Sequence, residues 1–223
     1  MENLFSISES FPYILRIILK RLITEEGLRT EGLLRIPGSK EEIAKLRHLF
    51  DQGSRVDLME YSIHDIGGLL KEFLRNLPEP IIPQVYDNQV KLYIGETEVL
   101  PLLKELVYQL PIHNLSVFTI LVKSFSCIVD NSPINLMTTD NLLKCIGPTL
   151  NCSPAPFFYA MQDMEFFFGD QPENTPLLQA LSHREDTKRG RRRGDVKFTR
   201  KPYSSPSLNT QPLEKNKNQS EED

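Results

Sequence analysis

The sequence predicts an all-α protein: one helical domain over residues 5–180, followed by a disordered basic and polar tail over 183–223. Three observations predict it. Apolar residues recur at helical spacing through most of the first 150 positions. Capping residues, glycines and prolines punctuate those segments. No alternating strand pattern and no Asn-Gly or Asp-Gly hairpin signal interrupts them.

The elements follow in order. Ile14, Leu15, Ile17, Ile18, Leu22 and Ile23 give an apolar face to a helix that begins near Pro12, a residue suited to a first turn. The stretch TEGLLRIPG, Thr30 to Gly38, comes next. It sets Arg35 among Leu33, Leu34 and Ile36, bracketed by Gly32, Pro37 and Gly38. Ser39 with Glu42 forms a capping box. Ile43, Leu46, Leu49 and Phe50 follow at helical spacing, and Gly53 stops that helix. Ser62 with Asp65 starts another, and Pro78 ends it. Later helices are expected over 98–110, 114–130 and 138–146, punctuated by Pro111, Pro133 and Pro148.

The helix from Ser62 to Leu77 carries more information. Ile63, Ile66, Leu69, Leu70, Phe73, Leu74 and Leu77 fall in one broad arc, with His64, Gly68, Lys71 and Arg75 opposite. Lys71 and Arg75 stand one above the other, and like charges at that spacing repel mildly, so helix stability does not explain them. Gly67 and Gly68 each cost roughly 1 kcal/mol relative to alanine inside a helix. Two readings stand side by side. Gly68 clears bulk beside two cations for a docking partner, or the cations are solvated and the glycines pack against a neighbouring helix.

Composition narrows the function. Of 223 residues, 39% are hydrophobic and 25% charged, which suits a globular protein. No apolar run approaches the roughly 20 residues of a membrane span. The start, MENLFSISESF, lacks a secretory pattern, so a cytoplasmic protein with reduced thiols is expected. Cys127, Cys145 and Cys152 form no CxxC pair and read as small buried apolar residues. No GxxxxGK[ST] loop, HExxH motif or GxSxG elbow occurs, and the four histidines have no zinc spacing. Neither a metal, a cofactor nor an enzyme active site of the chain's own is expected.

The net charge of −4 is unevenly placed. From His183 onward there are 11 Lys/Arg and 7 Asp/Glu, a net of +4, which leaves 15 and 23 in residues 1–182, a net of −8. A body that acidic is a poor nucleic-acid binder. The tail is poor in large apolar residues and cannot offset its ordering entropy by burial. Its one feature is KRGRRR, where Lys188, Arg189, Arg191, Arg192 and Arg193 form a solvated charge run or, alternatively, a nuclear-import or anionic-membrane patch.

TEGLLRIPG, then LLKEFLRNLPEPII from Leu69 to Ile82, then NLLKCIGPTL from Asn141 to Leu150 resemble, in order and spacing, the three signature blocks of the RhoGAP domain. A helix ending near Asn135 and Met137 precedes the third block, as in that family, and the resemblance spans about residues 5–155. It implies an all-α RhoGAP-like domain that activates GTP hydrolysis by Rho-, Rac- or Cdc42-type small GTPases in their GTP-bound state. The family's catalytic arginine finger falls on Arg35. Its supporting lysine and arginine fall on Lys71 and Arg75, which in the family brace the finger loop and contact the GTPase.

Two departures accompany the match. Thr149 stands where the family usually has asparagine, which keeps a hydroxyl and loses an amide, while Asn151 lies two positions out of register. The family closes with an amphipathic helix, whereas this chain continues NCSPAPFFYAMQDMEFFFGD, with two aromatic clusters and no clean periodicity. Phe157, Phe158, Phe166, Phe167 and Phe168 either fill the place of that helix or form an exposed sticky segment. The alternative function is a catalytically silent RhoGAP-like module that binds Rho GTPases or scaffolds signalling.

Overall fold

The apolar faces close on one another as eleven α-helices among the described residues, 12–169, of the computed structural model. They are α1 Tyr13–Leu22, α2 Glu25–Arg29, α3 Lys40–Asp51, α4 Ile63–Arg75, α5 Gln84–Tyr93, α6 Val99–Tyr108, α7 Ile112–Asp130, α8 Ser132–Asn135, α9 Thr139–Leu150, α10 Ala155–Gln162 and α11 Met164–Phe168. A short 3₁₀ turn, Leu58–Glu60, precedes α4, and the described residues contain no strand. The expected edges of the helical domain at 5–11 and 170–180 lie outside the described residues. So does the expected tail at 183–223, with Lys188, Arg189, Arg191, Arg192 and Arg193.

Helix α4 sits at the centre and packs against α1, α3 and α9. Ile66, Leu70 and Leu74 on its inner arc are fully buried. Burial of a side chain of this size contributes roughly 1.5–3 kcal/mol. Ser62 caps its start: its Oγ accepts from the Asp65 N–H at 3.1 Å and donates to Asp65 Oδ2 at 2.7 Å. Arg21 is 5% exposed. Its Nε donates to the Leu58 carbonyl at 3.2 Å and its Nη1 lies 2.9 Å from Glu26 Oε2, tying α1 to the 3₁₀ turn and to α2.

Several expectations are corrected. Ser39 does cap α3, accepting from the Glu42 N–H at 3.3 Å, but the reciprocal arm of the capping box is absent. The Ser39 N–H donates instead to Asp65 Oδ1 at 2.7 Å. Helix α9 does not stop before Pro148 but runs on to Leu150. Lys144, whose carbonyl loses its donor to the proline ring, is exposed together with Pro148, so solvent can take that carbonyl. Helix α7 does have the length and apolarity of a membrane span. Half of its apolar window is buried within the fold, where Phe118, Leu121, Phe125 and Ile128 are fully covered.

The aromatic segment after Asn151 folds as α10 and α11. Phe157 and Phe167 are fully buried, and the Phe118 and Phe157 rings meet at 4.7 Å. Lys104 Nζ donates to the Phe166 carbonyl at 2.6 Å and the Tyr108 hydroxyl to the Phe167 carbonyl at 2.7 Å, so α6 grips α11. Phe166 and Phe168 are half-buried against the same core, so the sticky-segment reading is discarded for these four aromatics, while Phe158 is half-buried beside Tyr159.

Candidate functional site

The turn between α2 and α3 carries two left-handed residues within three positions. Gly32 has φ +65° and Leu34 φ +67°. Glycine adopts this region freely, whereas leucine pays a steric penalty there. The turn closes on itself, with the N–H groups of Arg35 and Ile36 both donating to the Gly32 carbonyl at 2.8 Å. Leu33 and Leu34 are 0% and 1% exposed, so they peg the turn into the core while Arg35 and Ile36 point outward. Arg35 is exposed and has no ion pair or side-chain hydrogen bond among the described residues.

Three anchors fix the turn. At its start, the Gly32 N–H donates to the Asn135 carbonyl at 2.7 Å. Asn135 is fully buried. Its Nδ2 bridges the carbonyls of Leu28 and Ile128, both at 2.9 Å, and its Oδ1 accepts from the Met137 N–H at 2.8 Å. In the middle, Lys71 Nζ donates to the Leu34 carbonyl at 3.0 Å. At the end, Asp65, 7% exposed, receives the Ser39 N–H. Gly38 lies so close to α4 that a Cβ there would fall 2.7 Å from the Asp65 Cα and backbone nitrogen. Only glycine permits that approach.

The cations of α4 have different placements. Lys71 is half-buried, with its ammonium on the turn, while Arg75 is exposed one helical turn further on. The Arg75 carbonyl accepts from Asn151 Nδ2 at 3.1 Å, and Asn151 is an exposed left-handed residue, φ +54°, at the end of α9. Hydrogen bonds and α4 therefore link the Arg35 turn through Lys71 and Arg75 to Asn151.

Two expected members do not join it. Thr149 is 1% exposed and its Oγ1 donates to the Ile146 carbonyl at 2.6 Å, so its hydroxyl faces the core. The amide at this surface comes from Asn151, which the left-handed cap swings outward. Gly68 leaves no open space for a partner. A Cβ there would strike Ile43 Cδ1 from α3, so the glycine serves helix packing.

The sequence marks neither Asn135 nor Asp65 as a site residue. Asn135 offered only its place two positions before Met137, and Asp65 read as no more than a helix start. Their partners lie up to 107 positions away, beyond any local pattern.

A hollow of about 310 Å³ between α1, α3 and α4 is lined by Ile14, Phe50, Phe73 and Leu77 among others, and by no residue of the Arg35 turn. Among the described residues no cluster of His, Cys, Asp and Glu could hold a metal ion. A guanidinium presented on a rigid turn and open to solvent has five donors for an anionic or carbonyl group. It acts in a dry environment only when a second surface closes over it.

Comparison with known proteins places this geometry. The family model described as RhoGAP domain matches residues 12–155. The chain is 36% identical over 148 residues to Rho GTPase-activating protein gacFF of Dictyostelium discoideum, covering 64% of this chain and 17% of that protein. It is 36% identical over 135 residues to Rho GTPase-activating protein 35 of Rattus norvegicus, covering 57% of this chain and 9% of that protein. The chain thus spans under a fifth of the length of these curated relatives. The crystal structure of human Rho GTPase activating protein 15 superposes with a TM-score of 0.66 at 26% identity, over 72% of this chain and 85% of that one.

Proposed function

The chain belongs to the RhoGAP domain family, and on that premise we propose that it activates GTP hydrolysis by a GTP-bound Rho-, Rac- or Cdc42-type small GTPase, with Arg35 inserted in trans into the partner's active site. The observation that carries this reading is the Leu34–Lys71 contact. A leucine at φ +67° is fixed by a lysine ammonium at 3.0 Å, and the next residue is an exposed arginine. Strain held in place by surrounding structure is the signature of a presented side chain.

The chemistry follows from charge. Phosphoryl transfer spreads negative charge over the transferring group, and an arginine supplied in trans is worth on the order of 10³–10⁵ in rate. The planar guanidinium suits the task because it donates several hydrogen bonds and stays charged. Rigid anchoring by Asn135, Lys71 and Asp65 settles the orientation before docking. Arg75 and Asn151 contact the GTPase beside the finger. The partner holds the nucleotide, so this chain supplies no nucleotide site.

The deciding experiment is GTP hydrolysis by a panel of Rho-type GTPases with and without the protein. Wild type accelerates at least one of them. Arg35→Ala loses most of that acceleration while keeping its affinity for the GTP-analogue form within about tenfold, or roughly 1.4 kcal/mol. Arg35→Lys rescues poorly, because an ammonium lacks the fork. If no member of the panel responds to wild type, the silent-module reading replaces this one. If Arg35→Ala activates as well as wild type, the finger mechanism is wrong.

A further inference from the structure

Phe73 and Leu77, at the C-terminal end of α4 and just beyond it, are half-buried and line two hollows at once. The larger, of about 310 Å³, lies towards α3 and is also lined by Ile14, Phe50 and Leu69. The smaller, of about 150 Å³, lies towards α7 and is also lined by Pro12, Ile81 and Val117. The shared residues make the two hollows one apolar trough. Lys71 and Arg75 line neither half. Each stands two residues before Phe73 or Leu77, about 200° around the helix, so the trough faces away from the cations.

The described chain begins at this trough. Pro12 lines the smaller hollow and Ile14 the larger, so residues 1–11 join the fold at its edge. Their sequence suits an apolar floor. From Phe5 to Phe11 it reads FSISESF, with Ser6, Ser8 and Ser10 at the even positions and Phe5, Ile7 and Phe11 at three of the four odd ones. In extended chain the two sets point to opposite faces, one apolar and one carrying hydroxyls. Glu9 is the exception on the apolar side, and Arg47 and Asn76 at the larger hollow offer it polar partners. Six residues of extended chain reach about 20 Å, whereas the trough runs roughly 12 Å along α4 from Leu69 to Leu77.

We propose that residues 5–11 of this chain lie in the trough as an extended strap, with Phe5, Ile7 and Phe11 against Phe73 and Leu77 and the three serines facing solvent. The occupant is argued from the tether and the pattern. The segment is joined to the edge of the trough, so its effective concentration there exceeds that of a free peptide. Its alternation puts apolar groups on the one side that the half-buried floor needs covered. The strap closes the side of α4 turned away from Lys71 and Arg75, so it holds the helix that braces the Arg35 turn without covering the turn. It stands independently of the activation reading.

The test uses the full chain. With methyl and aromatic groups isotope-labelled, NMR should show nuclear Overhauser contacts from Phe5 and Ile7 to Phe73 and the Leu77 methyls. Their absence overturns the inference. The Phe5→Ser/Ile7→Ser double variant should melt about 4 °C or more below wild type, while Ser6→Asp/Ser8→Asp stays within about 1 °C. Equal melting of the two double variants overturns the strap. Leu77→Ala should lower the melting temperature less in the Phe5→Ser/Ile7→Ser background than in wild type, because the shared contact is already gone. Strict additivity overturns it as well. Contacts that appear only between a labelled and an unlabelled copy assign the trough to a second chain and overturn the intrachain strap.

Discussion

The Lys71 ammonium donates to the Leu34 carbonyl across 37 positions of sequence, so one of the two stacked cations on α4 braces the turn that presents Arg35. Its neighbour Arg75 makes no side-chain hydrogen bond or ion pair among the described residues and stands exposed. The two residues share a helix face and differ in what they can do.

Their substitutions should separate accordingly. Lys71→Met removes a hydrogen bond to a charged donor that is only half-buried, so it should destabilise the domain by about 1 kcal/mol. That is a fall of roughly 2–4 °C in melting temperature for a domain of this size. It should also lower activation through a looser turn. Arg75→Ala should stay within about 0.5 kcal/mol of wild type in stability and weaken GTPase affinity instead. Calorimetry beside a binding titration reads both, and identical behaviour of the two variants would contradict the division of roles.

Asn135 is the strongest structural determinant of the turn. Asn135→Ala leaves the Leu28 and Ile128 carbonyls and the Met137 N–H without their partner, at a cost of about 3 kcal/mol. Asn135→Asp keeps the acceptor for Met137 but still loses both donated bonds, so it should be nearly as unstable. Urea unfolding of the two variants measures this. Wild-type stability in Asn135→Asp would mean the two carbonyls do not need the amide.

Two glycine substitutions should have opposite outcomes. Gly38→Ala drives a methyl group into the Asp65 backbone, which cannot yield, and should destabilise by about 1–3 kcal/mol with loss of activation. Gly68→Ala meets only the flexible end of Ile43 and gains roughly 1 kcal/mol in helix propensity, so its stability should change little. GTPase affinity should also survive Gly68→Ala, because Ile43 already fills that space. A large affinity loss would restore Gly68 to the docking surface.

Burial pushes the Cys152 thiol up to about 11, with the negative charge of Asp87 adding to the effect. At pH 8 only about a thousandth of it is thiolate, so Ellman's reagent should modify it very slowly in the folded protein and promptly in denaturant. The folded state holds this proton more tightly than the unfolded one. Its contribution to stability is therefore complete below about pH 8.5 and is lost as the pH rises towards 11. Fast labelling of Cys152 at pH 8 under native conditions would contradict its burial.

The sequence alone determined whatever depends on neighbours in the chain. Periodicity and caps placed α1, α3, α4, α6, α7 and α9, because amphipathic spacing and N-cap chemistry act over three or four residues. The three signature blocks located Arg35, Lys71 and Arg75. What stayed hidden depends on contacts between distant segments. The short helices α2, α8 and α11 carry too few residues for a period to register. The aromatics of α10 and α11 are ordered by the grip of Lys104 and Tyr108, about 60 positions away. Thr149 and Asn151, both candidates for the GTPase-facing surface, part because a helix that continues through Pro148 turns Thr149 inward, while a left-handed cap leaves Asn151 exposed. Gly68 could not reveal that Ile43 fills its space. Only the tertiary structure brought Asn135 and Asp65 to the two ends of the Arg35 turn, since a hydrogen bond formed across tens of residues leaves no mark on the residues beside it.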